Sequence, residues 1–168
     1  LNKIKEIGKK PKKWSIEIVG SYRREKESSG DIDVLVTSDK YKDDIMKTLF
    51  NNLYLSGITN KESTFSSGTT KYMGVGKIKE IYRHIDIFYY SQKEYPFALL
   101  FSTGSGKFNV EMRQHAIKNG YSLSEKELKY LSGESVTKEE YLSDIGKEYP
   151  ETEEDIFKFL QFEYKKQK

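Results

Sequence analysis

The spacing of hydrophobic positions changes along the chain, and each change marks an element. In Ile16-Glu17-Ile18 and Ile32-Asp33-Val34-Leu35-Val36 the apolar residues recur at every second position, the period of a strand. A first strand is therefore expected over Trp14 to Val19 and a second over Asp31 to Thr37, joined by a turn and short helix over residues 21 to 29. Between Tyr41 and Tyr54, residues Ile45, Met46, Leu49, Phe50 and Leu53 fall three and four apart, which predicts an amphipathic helix whose stripe packs in the core. Gly57 to Phe65 and Thr70 to Ile78 read as paired strands joined at Ser66-Ser67-Gly68. Ile81 to Tyr90 reads as another strand, with Ile85, Ile87 and Tyr89 on one face and His84, Asp86 and Phe88 on the other.

Beyond Tyr90 the period becomes helical. Glu94 to Phe101 predicts a helix that accepts Pro96 in its first turn. Ser102-Thr103-Gly104-Ser105-Gly106 reads as a flexible break and the expected hinge between a sheet-bearing front and a mixed, helical back. Lys107 to Asn119 predicts a second helix closed by Gly120, Lys138 to Ile145 a third, and Pro150-Glu151-Thr152 opens a fourth. Ile4 and Ile7 give residues 1 to 13 the pattern of a short basic helix. The fold class is α+β: a mixed sheet backed by helices over residues 14 to 101, then a small α/β unit over 102 to 168.

Composition sharpens this picture in three places. Apolar residues make up only 36% and charged residues 33%, so the core must lean on the thirteen Tyr and nine Phe. The absence of Cys excludes a disulfide scaffold, a Cys-type zinc site and a thiol nucleophile. No apolar run approaches the ~20 residues of a membrane span, and an intracellular, monomeric protein without membrane attachment is the expectation. The net charge of +3 is uninformative by itself, but lysines crowd both ends. Lys9, Lys10, Lys12 and Lys13 are candidates for phosphate contact, against the plainer reading of solvated termini.

The chemistry concentrates in Gly20-Ser21-Tyr22-Arg23-Arg24 and Gly30-Asp31-Ile32-Asp33. Gly20 allows a sharp turn after the first strand, and Ser21 offers a hydroxyl and an N–H at the start of a short helix, where anions are favoured. Adjacent arginines point in different directions, so one can serve a phosphate while the other faces elsewhere. Asp31 and Asp33 share one strand face and repel each other unless a cation intervenes; Mg²⁺, a hard oxygen-seeking ion, suits them and brings phosphate oxygens with it. Asp86, on a strand with core residues either side, is a third carboxylate that needs a partner or a metal. Three carboxylates on neighbouring strands can hold two Mg²⁺ ions, the arrangement used for in-line phosphoryl transfer. An isolated Asp-x-Asp recurs by chance, but here turn, Arg pair and Asp pair belong to one strand–turn–strand unit. His115, with no second ligand at zinc spacing, reads as a packing or hydrogen-bonding residue.

This unit resembles the nucleotidyltransferase superfamily, and the Ser-Tyr-Arg-Arg and Ser-Ser-Gly-Asp-Ile-Asp-Val-Leu wording is similar to the family X DNA polymerases, near polymerase beta. The resemblance runs from about Trp14 to Tyr164: Ser66 to Val75 and Arg83-His84-Ile85-Asp86-Ile87 look like palm strands, and Ser102-Thr103-Gly104-Ser105, Phe108-Asn109, Met112-Arg113 and His115-Ala116 like the start of a thumb. It implies template-directed, Mg²⁺-dependent addition of a dNTP to a primer 3′-hydroxyl on gapped DNA, as in repair, with two Mg²⁺ ions and Mn²⁺ as a substitute. Asp31 and Asp33 would bind both metals and Asp86 the catalytic one. Gly20, Ser21, Arg24, Ser29 and Gly30 would hold the triphosphate, and Phe101, Ser102, Thr103, Gly104 and Asn109 the sugar and base. Arg113 would meet the template strand, and Lys71 and His84 would join the terminal lysines as DNA contacts.

Three departures from the family pattern stand out. Phe101-Ser102 replaces Tyr-Phe beside the sugar, which puts ribonucleotide exclusion in question; His84 replaces an Arg that orients the third aspartate; Gly106 replaces an Asp. Few residues precede the palm, a layout that resembles the minimal palm-plus-thumb members carried by some large DNA viruses. Two other readings remain open at this point: a nucleotidyltransferase acting on a protein or small molecule, and a catalytically silent DNA-binding module.

Overall fold

The structure, a computed structural model, describes residues 14–38 and 44–163. The basic arm over 1–13, with Lys9, Lys10, Lys12 and Lys13, lies outside the described residues, as do Tyr41 and the C-terminal lysines. The chain divides into two compact units, Leu1–Ser91 and Gln92–Lys168.

In the first unit, alternating apolar residues build strands β1 (Trp14–Ile18), β2 (Ile32–Ser38), β3 (Thr64–Ser67), β4 (Lys71–Ile78) and β5 (Ile81–Tyr89), with a short helix α1 (Gly20–Arg23) and the helix α2 (Asp44–Leu55). The sheet order is β1-β2-β5-β4-β3, so β5 is central. β2 and β5 run parallel while the other pairs are antiparallel, which makes the sheet mixed as expected. Ile45, Met46, Leu49, Phe50 and Leu53 of α2 are buried in one cluster with Val34, Val36, Tyr72, Ile85 and Ile87. The helical stripe thus covers one face of the sheet and leaves the Asp33 and Asp86 side chains on the other.

The expected strand over Gly57 to Phe65 is not formed as one run: β3 covers Thr64–Ser67, and ahead of it isolated bonds reach β4, the Val75 N–H donating to the Ser63 carbonyl at 2.8 Å and the Lys77 N–H to the Ile58 carbonyl at 2.7 Å. Polar side chains compete with the ladder here. Asn60 Oδ1 accepts from the Ser63 N–H at 2.9 Å and from the Ser63 hydroxyl at 2.8 Å, and Thr64 Oγ1 donates to the Asn60 carbonyl at 2.8 Å. Such local bonds satisfy the backbone in a turn rather than in a sheet.

The second unit contains α3 (Tyr95–Thr103), α4 (Gly106–Lys118), the hairpin β6 (Tyr121–Leu123) and β7 (Leu128–Tyr130), α5 (Lys138–Ile145) and α6 (Glu153–Phe159). Phe97 and Leu100 of α3 pack with Phe108, Met112, Tyr141, Ile156 and Phe157 in this unit's own cluster. The division therefore falls between Ser91 and Gln92, and α3 stands with the second unit rather than the first. The expected flexible break at Ser102 to Gly106 is instead a capped corner. α3 continues through Thr103, whose Oγ1 donates to the Leu99 carbonyl at 2.6 Å, and Gly104 ends it at φ 68°. The Gly104–Ser105 peptide bond is cis, and the Ser105 side chain then caps α4 by accepting from the Phe108 N–H.

The fourth helix, opened as expected after Pro150-Glu151-Thr152, runs over Glu153–Phe159. It begins with a capping box, Thr152 and Asp155 each accepting from the other's backbone N–H. Asp155 also accepts from Lys147 Nζ at 2.8 Å. No helix among the described residues is long and apolar enough to cross a membrane.

Candidate active site

Asp33 and Asp86 are direct register partners across the parallel pair β2 and β5. Both side chains lie on the sheet face away from α2, in half-buried positions between fully buried neighbours. Asp31 sits in the bend just before β2 and is exposed. The three expected carboxylates are close enough to act on one another. Burial pushes the Asp33 carboxyl above its ordinary value, the charges of Asp86 and Asp31 push it further, and Arg24 opposes them. Burial also raises Asp86, with Asp31 adding to the shift and His84 and Lys71 opposing it. Among the described residues no three His, Asp or Glu side chains gather tightly around one point. The carboxylates are mutually repulsive and all-oxygen, which is the donor chemistry a hard divalent cation relieves, and closing them around such an ion requires them to draw together.

The turn beside them is tied to the same strand. The Val19 N–H donates to the Asp33 carbonyl at 2.8 Å, carrying the chain into Gly20 at φ +63°. Ser29 Oγ donates to the Asp31 carbonyl at 2.9 Å, which leaves Ser21 Oγ as the donor in the 2.6 Å contact between the two hydroxyls. Ser21, Ser29 and Asp31 are thereby linked in one chain of hydrogen bonds. The two arginines separate as adjacency requires: Arg23 Nε lies 3.8 Å from Glu17, while Arg24 acts on Asp33. Gly30 is exposed, with open space around its α-carbon.

Lys71 and His84 flank Asp86 on the same face. Lys71 Nζ lies over the Phe88 ring at 5.8 Å, and the His84 ring is 6.0 Å from that of Phe65. Phe65 escaped the pattern reading because it is the extra residue of a bulge between Thr64 and Ser66, and an irregularity of one residue changes the face a side chain takes.

In the second unit, the corner brings a further group of expected residues together. Asn109 Nδ2 donates to the Phe101 carbonyl at 2.8 Å, and the Arg113 guanidinium stacks over the Phe101 ring at 4.9 Å. Asn109 and Arg113 stand one turn apart on α4, so both reach the same end of α3. Arg113 also lies 4.0 Å from Glu125, and a small concavity is lined by Phe101, Asn109, Arg113 and Ser124. Ser102 is half-buried, and Thr103 and Gly104 are buried. His115 is a packing residue, its Nε2 donating to the Leu160 carbonyl at 2.7 Å and its ring edge-on to Phe162.

A mixed sheet with a parallel carboxylate pair beside a Gly-Ser turn defines the first unit as a polymerase-type nucleotidyltransferase palm. Residues 2–92 match the DNA polymerase beta palm family and residues 98–168 the DNA polymerase beta thumb family. The chain belongs to the family X DNA polymerases. It is 34% identical over 156 residues to DNA polymerase lambda of Rattus norvegicus, which covers 87% of this chain. The chain spans 27% of that relative's length.

Proposed function

We propose that this chain performs DNA-directed nucleotidyl transfer, joining a dNTP to a primer 3′-hydroxyl, and that it fills gaps during DNA repair inside the cell. The observation that carries this reading is the register pairing of Asp33 with Asp86, with Asp31 acting on both, in a chain of this family. The new bond joins the 3′ oxygen to the α-phosphorus, the bond to the β-phosphate breaks, and pyrophosphate leaves. Asp86 positions the 3′-hydroxyl and receives its proton. Ser21 gives up its bond to Ser29 and, with Arg24 and the Gly30 backbone, grips the β- and γ-phosphates. The resemblance gives Phe101, Ser102, Thr103, Gly104 and Asn109 the nucleotide, and Arg113, Lys71 and His84 the DNA. Asp31, Asp33 and Asp86 would hold Mg²⁺ or Mn²⁺, which supplies a lowered hydroxyl pKa and charge neutralisation of the leaving group when bound.

Primer extension on gapped DNA, with and without template and with Asp86→Asn alongside, tests the proposal. Template-dependent addition by the parent, lost in the variant by about 10²-fold or more, is expected. Addition to a protein or small molecule instead, or DNA binding with no addition, would replace this reading by one of its rivals.

A further inference from the structure

The open face of the sheet does not end at Asp86. Along β5 the outward side chains run Phe88, Asp86, His84, Tyr82, and the register with β4 sets Lys71, Met73, Val75 and Lys77 beside them in turn. Two rings on this stretch are largely bare: Phe65 is 65% and Tyr82 67% exposed. Each has a polar or cationic neighbour: the His84 ring lies 6.0 Å from Phe65, and Lys77 Nζ lies 5.8 Å from the Tyr82 ring centre. Lys77 is also paired with Glu80 at 2.5 Å at the tip of the hairpin.

We propose that this stretch is a stacking track for an unpaired 3′ end of DNA, with Phe65 and Tyr82 as the residues on which its bases lie. The inference rests on the polymerase reading for the placement of the 3′ terminus at Asp86. Same-face residues of a strand repeat every ~6.6 Å, which suits the spacing of successive nucleotides in an extended strand. With the terminal nucleotide at Asp86, the next lies over His84 and Phe65, and the one after it over Tyr82 and Lys77. Aromatic faces accept any base, and cations beside them meet the phosphates, the combination that binds single strands without sequence preference. The face is continuous with the candidate active site, where Lys71 adds a cation beside Phe88, while Lys77 is held in its pair with Glu80. A fully paired primer end has its bases stacked in the duplex and has little use for the two rings. The track therefore serves frayed, mismatched or overhanging ends.

The test is equilibrium binding of a short 5′-labelled oligothymidylate to the full chain, without metal or nucleotide, compared with a blunt hairpin duplex. Phe65→Ala and Tyr82→Ala should each weaken single-strand binding about tenfold and leave duplex binding within about twofold, while Tyr82→Phe retains it. Both positions are exposed, so the fold tolerates the changes. Parent chain that does not bind the oligothymidylate, a double variant that binds it as tightly as the parent, or equal losses on both DNAs would overturn the proposal. Because the readout needs no turnover, loss of binding in the variants of a chain that extends no primer would sink the polymerase reading and with it the 3′ terminus at Asp86, leaving a single-strand surface at Phe65 and Tyr82. An active polymerase with unchanged binding would do the reverse.

Discussion

A β-carbon built on Gly20 would lie 2.3 Å from Oδ2 of Asp33. The glycine that turns the chain after β1 and the carboxylate one strand away are thus packed as a single piece. A side chain at Gly20 would have to push the Asp33 carboxylate aside, a steric reason for a glycine directly ahead of Ser21.

Gly20→Ala should therefore be costly twice, through contact with Asp33 and through the left-handed backbone, which alone costs about 1–2 kcal/mol for a residue with a β-carbon. The expected fall in thermal midpoint is about 4 °C or more. In an Asp33→Ala background the contact disappears and only the backbone part remains. A double-mutant cycle with no coupling between the two positions would show that the close approach is not felt.

The raised carboxyls of Asp33 and Asp86 give a pH dependence of defined sign. A carboxyl whose folded value lies above its unfolded one contributes its full stability below the ordinary value, about 3.9. That contribution is lost as the pH rises through the raised value. In metal-free buffer at neutral pH, Asp33→Asn should raise the thermal midpoint by a few degrees and flatten its fall with pH, while the rate of nucleotide addition drops about 10²-fold or more. Mg²⁺ should stabilise the parent and not the variant. A midpoint that falls in Asp33→Asn would contradict the repulsion.

Asn109 holds the Phe101 carbonyl and Arg113 covers its ring, so the two act on one residue from two sides. Asn109→Ala should raise KM for the dNTP about tenfold with a smaller change in kcat. Arg113→Lys should lose the stacked, planar contact and weaken DNA use with little change in stability, because an exposed cation–π pair contributes only about 0.5–1 kcal/mol. Steady-state kinetics with varied dNTP and varied DNA separates the two. An unchanged KM in Asn109→Ala would leave Asn109 as a cap on α3.

Asp155 is the anchor of the last helix. Burial alone would raise its carboxyl, but Lys147 and the N–H groups of Glu151 and Thr152 hold it below the ordinary range. Its contribution is therefore complete above the ordinary carboxylate value and is lost as the pH falls through the lowered one. Asp155→Ala should cost about 1–2 kcal/mol as the lost N3 half of the capping box, a fall of about 2–8 °C at neutral pH that shrinks in acid. Equal losses at both pH values would assign the effect to packing.

The sequence by itself determined the elements whose period is complete within a short window. The α2 stripe from Ile45 to Leu53, the alternation of Ile85, Ile87 and Tyr89 against His84 and Asp86, and the Lys138–Ile145 helix are all local patterns that folding leaves in place. It also placed Asp33 and Asp86 each on a polar strand face, since alternation requires nothing from the rest of the chain. Their pairing as neighbours is a different matter. It depends on β2 and β5 lying parallel, which is settled when both strands seat Val34, Val36, Ile85 and Ile87 against the same helix. Tertiary structure likewise aimed Phe65 outward through a bulge against β4 and gave α3 to the second unit, whereas the turn over Asn60 to Ser63 comes from local side-chain bonds that the alternation does not register. For α3 the reason is burial: Phe97 and Leu100 find their apolar partners in the second unit's cluster, which no local pattern can specify.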